Sequence, residues 1–463
     1  MGRFDNLPTN EQAEARAEVE AAKLGNPDLE TTTHARMAYR LAKAYRHKLL
    51  YVDGLKWFHW TGKRWEEDRV GAATNAVLTV LREAWNESFA DKDLHNAVKA
   101  CNTASGIKGV LSVAQDLPGI ITRVEDLDAD PYLLNVANGA LDLRTMTLRP
   151  HDPADLCTKI TEGAYRHDTA GPTWTRFMEE TLPDPEVRGF LARYVGQALV
   201  GEVLEHKLAI LTGTGGNGKG VWYGAVDFAL GGYAITPQPD MLLARRSDSA
   251  FDGSVELRGC RWAVFSEVDP GRALAPATLK RLTGGDRITG RYLYANNLSF
   301  TPSHTLAMVA NHLPDVPDMS RGMWRRLVVV PFDVEVPEDR MDEQLPHKLQ
   351  VEADAILSWA ISGWEDYRAR GNRLDPPQSV QAATMEYRRE SDQLMKFIED
   401  RVQEQPGGNI PPTALWKAYG EWCTDNSEAP QITGRDMLTK AILDRLQWSR
   451  TPRGAWLNVT LAG

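Results

Sequence analysis

One stretch, residues 210–222 (ILTGTGGNGKGVW), constrains this chain more than any other. An apolar run, KLAIL, leads into Thr212 and then Gly213-Thr214-Gly215-Gly216-Asn217-Gly218-Lys219-Gly220, and VWYGAVDFAL follows with helical spacing. Glycines at this density admit left-handed backbone and close approach to main-chain amides. A strand, a glycine loop and a helix opening on lysine form the setting of a phosphate cradle. Loop N–H groups would surround phosphate oxygens, and Lys219 would neutralise the β- and γ-phosphates of a nucleotide. In the pattern G-x-x-x-x-G-K-[ST] the final residue lends a hydroxyl to magnesium. Here that residue is Gly220, which has no side chain.

The texture downstream agrees with a nucleotide site. Short apolar runs (KLAILTG, RWAVFSE, TLAMVAN, RLVVVPF) alternate with turns and helices, as in a parallel sheet covered on both faces. RWAVFSEVD places Ser266 and Glu267 at the tip of one strand. Glu267 would polarise an attacking water as general base, and both residues would face the metal ion. TLAMVANHLP places Asn311 just past another strand, where its amide would orient the water or the γ-phosphate. SRGMWRRLVVVPF sets Arg321, Arg325 and Arg326 before a last strand; an arginine there can stabilise transition-state charge from a neighbouring subunit. Between Glu267 and Asn311 lies LKRLTGGDRITGRYLYANNLSFTP. Its rough alternation over residues 288–300 predicts a β-hairpin turning at Ala295-Asn296-Asn297. Lys280, Arg281, Arg287 and Arg291 would follow DNA phosphates, and Tyr292 or Tyr294 would stack on bases.

The 463 residues leave room for roughly three domains at about 150 residues each. A formal charge of −10 excludes a uniformly basic coat but not a local basic channel. Four scattered cysteines with no CxxC pair support neither a zinc knuckle nor a disulfide framework. No apolar run approaches the roughly 20 residues of a membrane span, and the opening residues are polar. The expectation is a soluble protein of the cytoplasm (the host cell's, if phage-encoded) with no membrane partner. Residues 1–31 read as a polar lead-in. Residues 32–185 read as a mostly helical domain, interrupted by a turn at Thr61-Gly62-Lys63 and by short strands in YLLNVANGALDLRTMTLRPHDPADLCTKI. An α/β unit follows over 186–345 and a helical segment over 346–390. Residues 391–463 read as helices followed by two short strands around a Pro-Arg-Gly turn, a winged-helix-like pattern for duplex DNA or a partner protein.

Taken in order, GTGGNGKG, AVFSE, the segment from LKRLTGGD to VANHLP, and WRRLVVVPF resemble a superfamily 3 helicase of the phage and plasmid primase–helicase family, poxvirus primase–helicase-like. Upstream, NVANGALDLRTMTLRPHDPADLCTKI resembles the domain that precedes the ATPase in that family. The resemblance runs over residues 32–331 and more loosely beyond. It implies an α/β AAA+-like P-loop ATPase core with a mostly α N-terminal domain and a C-terminal winged-helix domain, assembled as a homohexameric ring on one DNA strand. Lys219 matches the phosphate-binding lysine, Glu267 the catalytic carboxylate, Asn311 the polar sensor, Arg325 or Arg326 the finger, and residues 280–300 the DNA-contacting region. The cofactors would be ATP and Mg2+. The partners would be single-stranded and forked DNA, other copies of the chain, and a separate primase or polymerase.

Two departures stand out: Gly220, and Ser266 where many P-loop enzymes carry aspartate. Magnesium usually keeps several waters and leans on substrate phosphates, so a working site with a wetter metal is expected. The family often carries a fused primase. Here Asp126, Asp128 and Asp130 sit in a polar turn rather than at the end of an apolar strand, so primase activity is not expected. Two other readings stand beside the helicase: an origin-binding or loading ATPase without processive unwinding, and a structural hexamer with a degenerate site.

Overall fold

The computed structural model describes residues 33–167, 169–244, 253–266, 269–291 and 297–462. The first described element is α1 (Thr33–Ala44), followed by three strands, β1 (Leu49–Val52), β2 (Lys56–Trp60) and β3 (Trp65–Glu67). The turn between β2 and β3 falls where Thr61-Gly62-Lys63 predicted it: Gly62 has φ 94° and the Arg64 N–H donates to Thr61 Oγ1 at 3.2 Å. Helices α2 (Ala72–Glu87), α3 (Lys92–Cys101) and α4 (Ala104–Ala114) pack with α1 through Leu41, Val77, Leu81, Val98 and Val110. Strand β4 (Ile121–Thr122) completes a four-stranded sheet in the order β3-β2-β1-β4. Next comes a meander of β5 (Leu133–Val136), β6 (Gly139–Asp142) and β7 (Thr147–Arg149), from the segment read as short strands.

Helices α5 (Pro172–Thr181) and α6 (Pro185–Ala198) lead into β8 (Leu208–Thr212), α7 (Lys219–Leu230), β9 (Ala234–Ile235) and β10 (Trp262–Phe265). Then follow α8 (Pro276–Leu282), the hairpin β11 (Ile288–Arg291) and β12 (Asn297–Phe300), β13 (Thr305–Ala310), the short α9 (Arg321–Trp324) and β14 (Leu327–Pro331). The apolar runs form one five-stranded sheet, β14-β8-β13-β10-β9, parallel throughout. Strand side chains alternate between faces, and here both faces are covered. Leu208 and Ile210 pack with Leu279, Leu282 and Tyr387, whereas Ala209 and Leu211 pack with Tyr194, Trp222 and Ile356. Full burial of such an aliphatic side chain contributes roughly 1.5–3 kcal/mol, which is why these runs carry no polar alternation.

Beyond the sheet lie α10 (Leu345–Val351), α11 (Ala353–Ala369) and α12 (Gln378–Glu390). One apolar core joins α5, α6 and α11 to the sheet, so packing runs across the expected boundaries at 185 and 345. Helices α6 and α11 meet at backbone distance: a Cβ on Gly363 would lie 1.9 Å from the Ala192 carbonyl oxygen. Helix α12 also covers an open sheet edge, where the Val329 N–H donates to Thr384 Oγ1 at 3.0 Å. Arg261 ties the meander to the sheet by donating to the carbonyls of Leu133 (2.7 Å) and Leu199, its guanidinium 4.6 Å from the Tyr233 ring centroid.

The last unit has its own core of Phe397, Leu415, Trp422, Ile442 and Trp456. It runs α13 (Gln393–Arg401), β15 (Val402–Ile410), α14 (Pro412–Asp425), α15 (Arg435–Leu446) and β16 (Trp456–Leu461). The expected pair of strands around the Pro-Arg-Gly turn is corrected here. On the near side of that turn the pairing is too short for a strand: Arg450 bridges Trp456, the Leu457 N–H donates to the Ser449 carbonyl at 3.0 Å and the Thr451 N–H to the Ala455 carbonyl at 2.8 Å. The main partner of β16 is β15, far earlier in the chain, paired Val402↔Leu461 and Ile410↔Trp456. Strand β15 escapes sequence reading because Pro406-Gly407-Gly408 interrupts it; the ladder tolerates them by a register shift, with Gly407 at φ 76°.

Candidate active site

The strands β8, β10, β13 and β14 all end on one edge of the sheet. The register pairs Thr212 with Ala310 and with Pro331, so Gly213, Asn311 and Phe332 leave the sheet side by side. Phe265 pairs with Met308, and Ser266 follows it toward the same edge. Strand β8 lies between β13 and β14, the last two strands of this sheet in sequence, which makes it a point where connections reverse and a crevice opens at carboxyl ends.

The loop in that crevice depends on its glycines. Gly216 and Gly218 have φ 72° and 80°, in the left-handed region. A Cβ on Gly213 would lie 2.4 Å from the Phe332 carbonyl oxygen. Asn217, 2% exposed, holds the loop from inside: its Nδ2 donates to the carbonyls of Thr214 (2.8 Å) and Phe332 (2.9 Å). Its Oδ1 accepts from Lys219 Nζ at 2.9 Å, and the same ammonium donates to the Gly213 carbonyl at 2.7 Å. Burial lowers the Lys219 pKa from its ordinary value, while these acceptors hold the charge that a phosphate would otherwise meet. From the segment after β14, the Val336 N–H donates to the Gly216 carbonyl at 2.9 Å and Glu335 accepts from Thr214 Oγ1 at 2.7 Å. At Gly220 an added Cβ would meet nothing within 4 Å, so the missing hydroxyl leaves open space.

Cavities flank the loop. One of about 390 Å³ is lined by residues 215–221 with Tyr223, Ser266, Val309 and Asn311. The other, about 920 Å³, has apolar walls of Phe177, Val221, Val334, Val336, Met341 and Leu345, with Arg176, Glu180 and Arg340 among its polar groups. They share Gly216, Gly218 and Val221. Sequence reading missed the larger cavity because its walls come from α5, α7 and the segment between β14 and α10, which no local pattern connects. The signal available was Met341, alone and apolar in the acidic run EDRMDEQ; it is 50% exposed here.

Glu267 lies outside the described residues. Among the described residues no group of three His, Cys, Asp or Glu side chains is arranged to hold a metal ion. The Ser266 hydroxyl, the Asn311 amide and the space beside Gly220 are hard oxygen donors and room for water, a set that fits a magnesium ion held largely by phosphates and waters.

The arginines sit at the opposite, amino edge. Strand β14 separates them from Phe332 by five residues, roughly 17 Å, so neither serves its own loop. Arg326 is 9% exposed; its Nε donates to Thr283 Oγ1 at 3.1 Å and its Nη1 to the Gly322 carbonyl. Two of the three Arg326 guanidinium nitrogens are thus engaged inside its own subunit. The Arg325 side chain is exposed and makes no hydrogen bond or ion pair among the described residues, while its carbonyl accepts from Lys207 Nζ at 2.7 Å. Arg321 opens α9 and is exposed.

The hairpin expected over 288–300 forms, with Ile288↔Phe300 and Arg291↔Asn297 paired, so Asn297 belongs to a strand and not to the turn. Ile288 and Phe300 are buried and anchor its base. Lys280 donates to Asp318 Oδ2 at 2.6 Å, an ion pair within the subunit that offsets part of its charge. Arg281 and Arg287 are exposed, Arg287 reaching the Ser299 carbonyl at 3.3 Å. The Arg291 side chain, Tyr292 and Tyr294 lie outside the described residues.

Residues 38–183 match the family model described as D5 N terminal like. The chain is similar to virus proteins provisionally named as helicases or primases. It is 27% identical over 395 residues to such a helicase of Acanthamoeba polyphaga mimivirus (79% of this chain, 40% of that protein). It is 28% identical over 271 residues to one of Frog virus 3 (54% and 28%), and 26% over 382 residues to a primase-named protein of African swine fever virus (74% and 39%). The chain thus spans 40% or less of the length of these relatives. Among solved structures, the apo NrS-1 C terminal region superposes with TM-score 0.52 at 11% identity, covering 91% of this chain and 98% of that one; the likeness is one of fold. Among the described residues no helix is long and apolar enough to cross a membrane.

Proposed function

We propose that this chain is an ATP-driven DNA helicase of phage or plasmid replication, with a superfamily 3, AAA+-like P-loop core that works as a hexameric ring on single-stranded DNA. The observation that carries the reading is the glycine loop with Lys219 at the carboxyl edge of a parallel sheet, between two cavities. In this reading phosphates lie over the loop, and Ser266, Asn311 and Glu267 face them from one side. The base lies between Phe177 and Met341 on the other. With magnesium bound, the charge of the transferred phosphoryl group is offset as it leaves. Lys219 exchanges its loop acceptors for phosphate oxygens, Asn217 keeps the loop in shape, and Glu267 takes the proton of the attacking water. Arg325, exposed at the far edge, reaches the site of the next subunit. The hairpin with Arg287 and Arg291 lines the channel, and the last unit is a winged helix. The names of the viral relatives support a helicase or primase class; an origin-binding or loading ATPase is the second reading.

The test combines turnover with strand displacement on 3′- and 5′-tailed forks. Lys219→Ala should lose nucleotide binding, and Glu267→Gln should bind nucleotide without hydrolysing it. Hydrolysis by the wild type with no displacement of either fork would favour the loader.

A further inference from the structure

One aromatic side chain lines the cavity beside the phosphate loop, and nothing above gives it a role: Tyr223. It stands on α7 three residues after Gly220, so the two share a helix face. A helical side chain slants toward the amino end and covers the turn before its own Cα, here the turn that starts at Lys219 and Gly220. The Tyr223 ring is half-buried against the core, yet its phenol has no hydrogen-bond partner among the described residues. Its polar neighbours Lys219 and Asn217, by contrast, are fully engaged. At position 220 the hydroxyl of the usual pattern is absent and the space is open. One cavity therefore lacks a hydroxyl at the expected position and holds an unpartnered one a helical turn away.

We propose that Tyr223 is a positioning residue that replaces the missing hydroxyl of position 220, its phenol hydrogen-bonding a water of the hydrated magnesium ion that accompanies the nucleotide phosphates. The inference rests on the nucleotide-site reading above. A phenol is carried farther from its Cα than a serine hydroxyl, which suits contact through water and not direct ligation. It also accounts for a glycine at 220: a side chain there would compete for the space that the water needs.

The experiment is equilibrium binding of a fluorescent, non-hydrolysable ATP analogue to the full chain, titrated with Mg2+. Tyr223→Phe removes one hydroxyl and keeps the ring. The Mg2+ concentration for half-saturation should rise roughly two- to tenfold, the range of one hydrogen bond, with affinity in EDTA unchanged. Gly220→Ser in the Tyr223→Phe background should bring the Mg2+ requirement back. Unchanged Mg2+ dependence in Tyr223→Phe would overturn the proposal, since a ring that only fills the core does not need its hydroxyl. A rise that Gly220→Ser leaves uncorrected would overturn the exchange of hydroxyls. Lys219→Ala in the same assay separates the layers. If it abolishes binding while Tyr223→Phe changes nothing, only this inference fails; if Lys219→Ala binds normally, the nucleotide site itself is misplaced.

Discussion

Adjacent arginines at the amino end of β14 should behave as opposites. Arg326→Ala removes a guanidinium that is 9% exposed and donates to Thr283 Oγ1 and the Gly322 carbonyl. A hydrogen bond to a charged group is worth roughly 1.5–3 kcal/mol, and part of each is recovered when water reaches the orphaned acceptors. The expected loss is about 3 kcal/mol, a fall in Tm of roughly 6–12 °C for a unit of this size. Arg325→Ala removes an exposed side chain without a partner among the described residues and should stay within about 0.5 kcal/mol of wild type. Function should reverse the order. Subunits carrying Arg325→Ala, mixed with wild type, should depress ATP turnover more steeply than dilution, because each blocks a neighbour's site. The assays are differential scanning fluorimetry on each variant and turnover across mixing ratios. Strictly linear loss with Arg325→Ala, or an Arg326→Ala protein as stable as wild type, would refute the reasoning.

Three further outcomes follow from the geometry. Met341→Ala should lower nucleotide affinity roughly tenfold, since about two methylene equivalents leave an apolar base cavity, with Tm unchanged because Met341 is 50% exposed; equal affinity measured by analogue binding would move the base elsewhere. Arg287→Ala and Arg291→Ala should weaken single-strand binding and flatten its salt dependence, whereas Lys280→Ala, already paired with Asp318, should change stability and leave the salt slope alone; a slope that falls only for Lys280 would invert the assignment. His304 is buried against the Leu282 carbonyl, and burial pushes its pKa down to about 4 from 6.5. The unfolded chain therefore takes up the proton first. Stability from this residue is complete above about pH 6.5 and falls as pH drops toward 4, by up to about 1.4 kcal/mol per pH unit. Urea midpoints across that window should slope less in His304→Gln, and parallel slopes would sink the attribution.

What the sequence determined by itself follows from short-range rules. Gly216 and Gly218 occupy left-handed backbone that other residues resist, and the fully apolar runs have no face to offer water, so loop and parallel sheet are both legible in order. The hairpin over 288–300 and the turn at Thr61-Gly62-Lys63 are local in the same sense. The tertiary structure decided what depends on partners far along the chain. Arg325 and Arg326 are identical in type and adjacent, but one points at Thr283, 43 residues away, and the other at solvent. Lys280 reads as a free cation until Asp318 is brought to 2.6 Å. The larger cavity joins α5 to the segment before α10, and β15 exists only because β16 returns to pair with it. Backbone preference is a property of a few consecutive residues; a charge's partner, a cavity's walls and a strand's ladder are properties of which distant segments folding brings together.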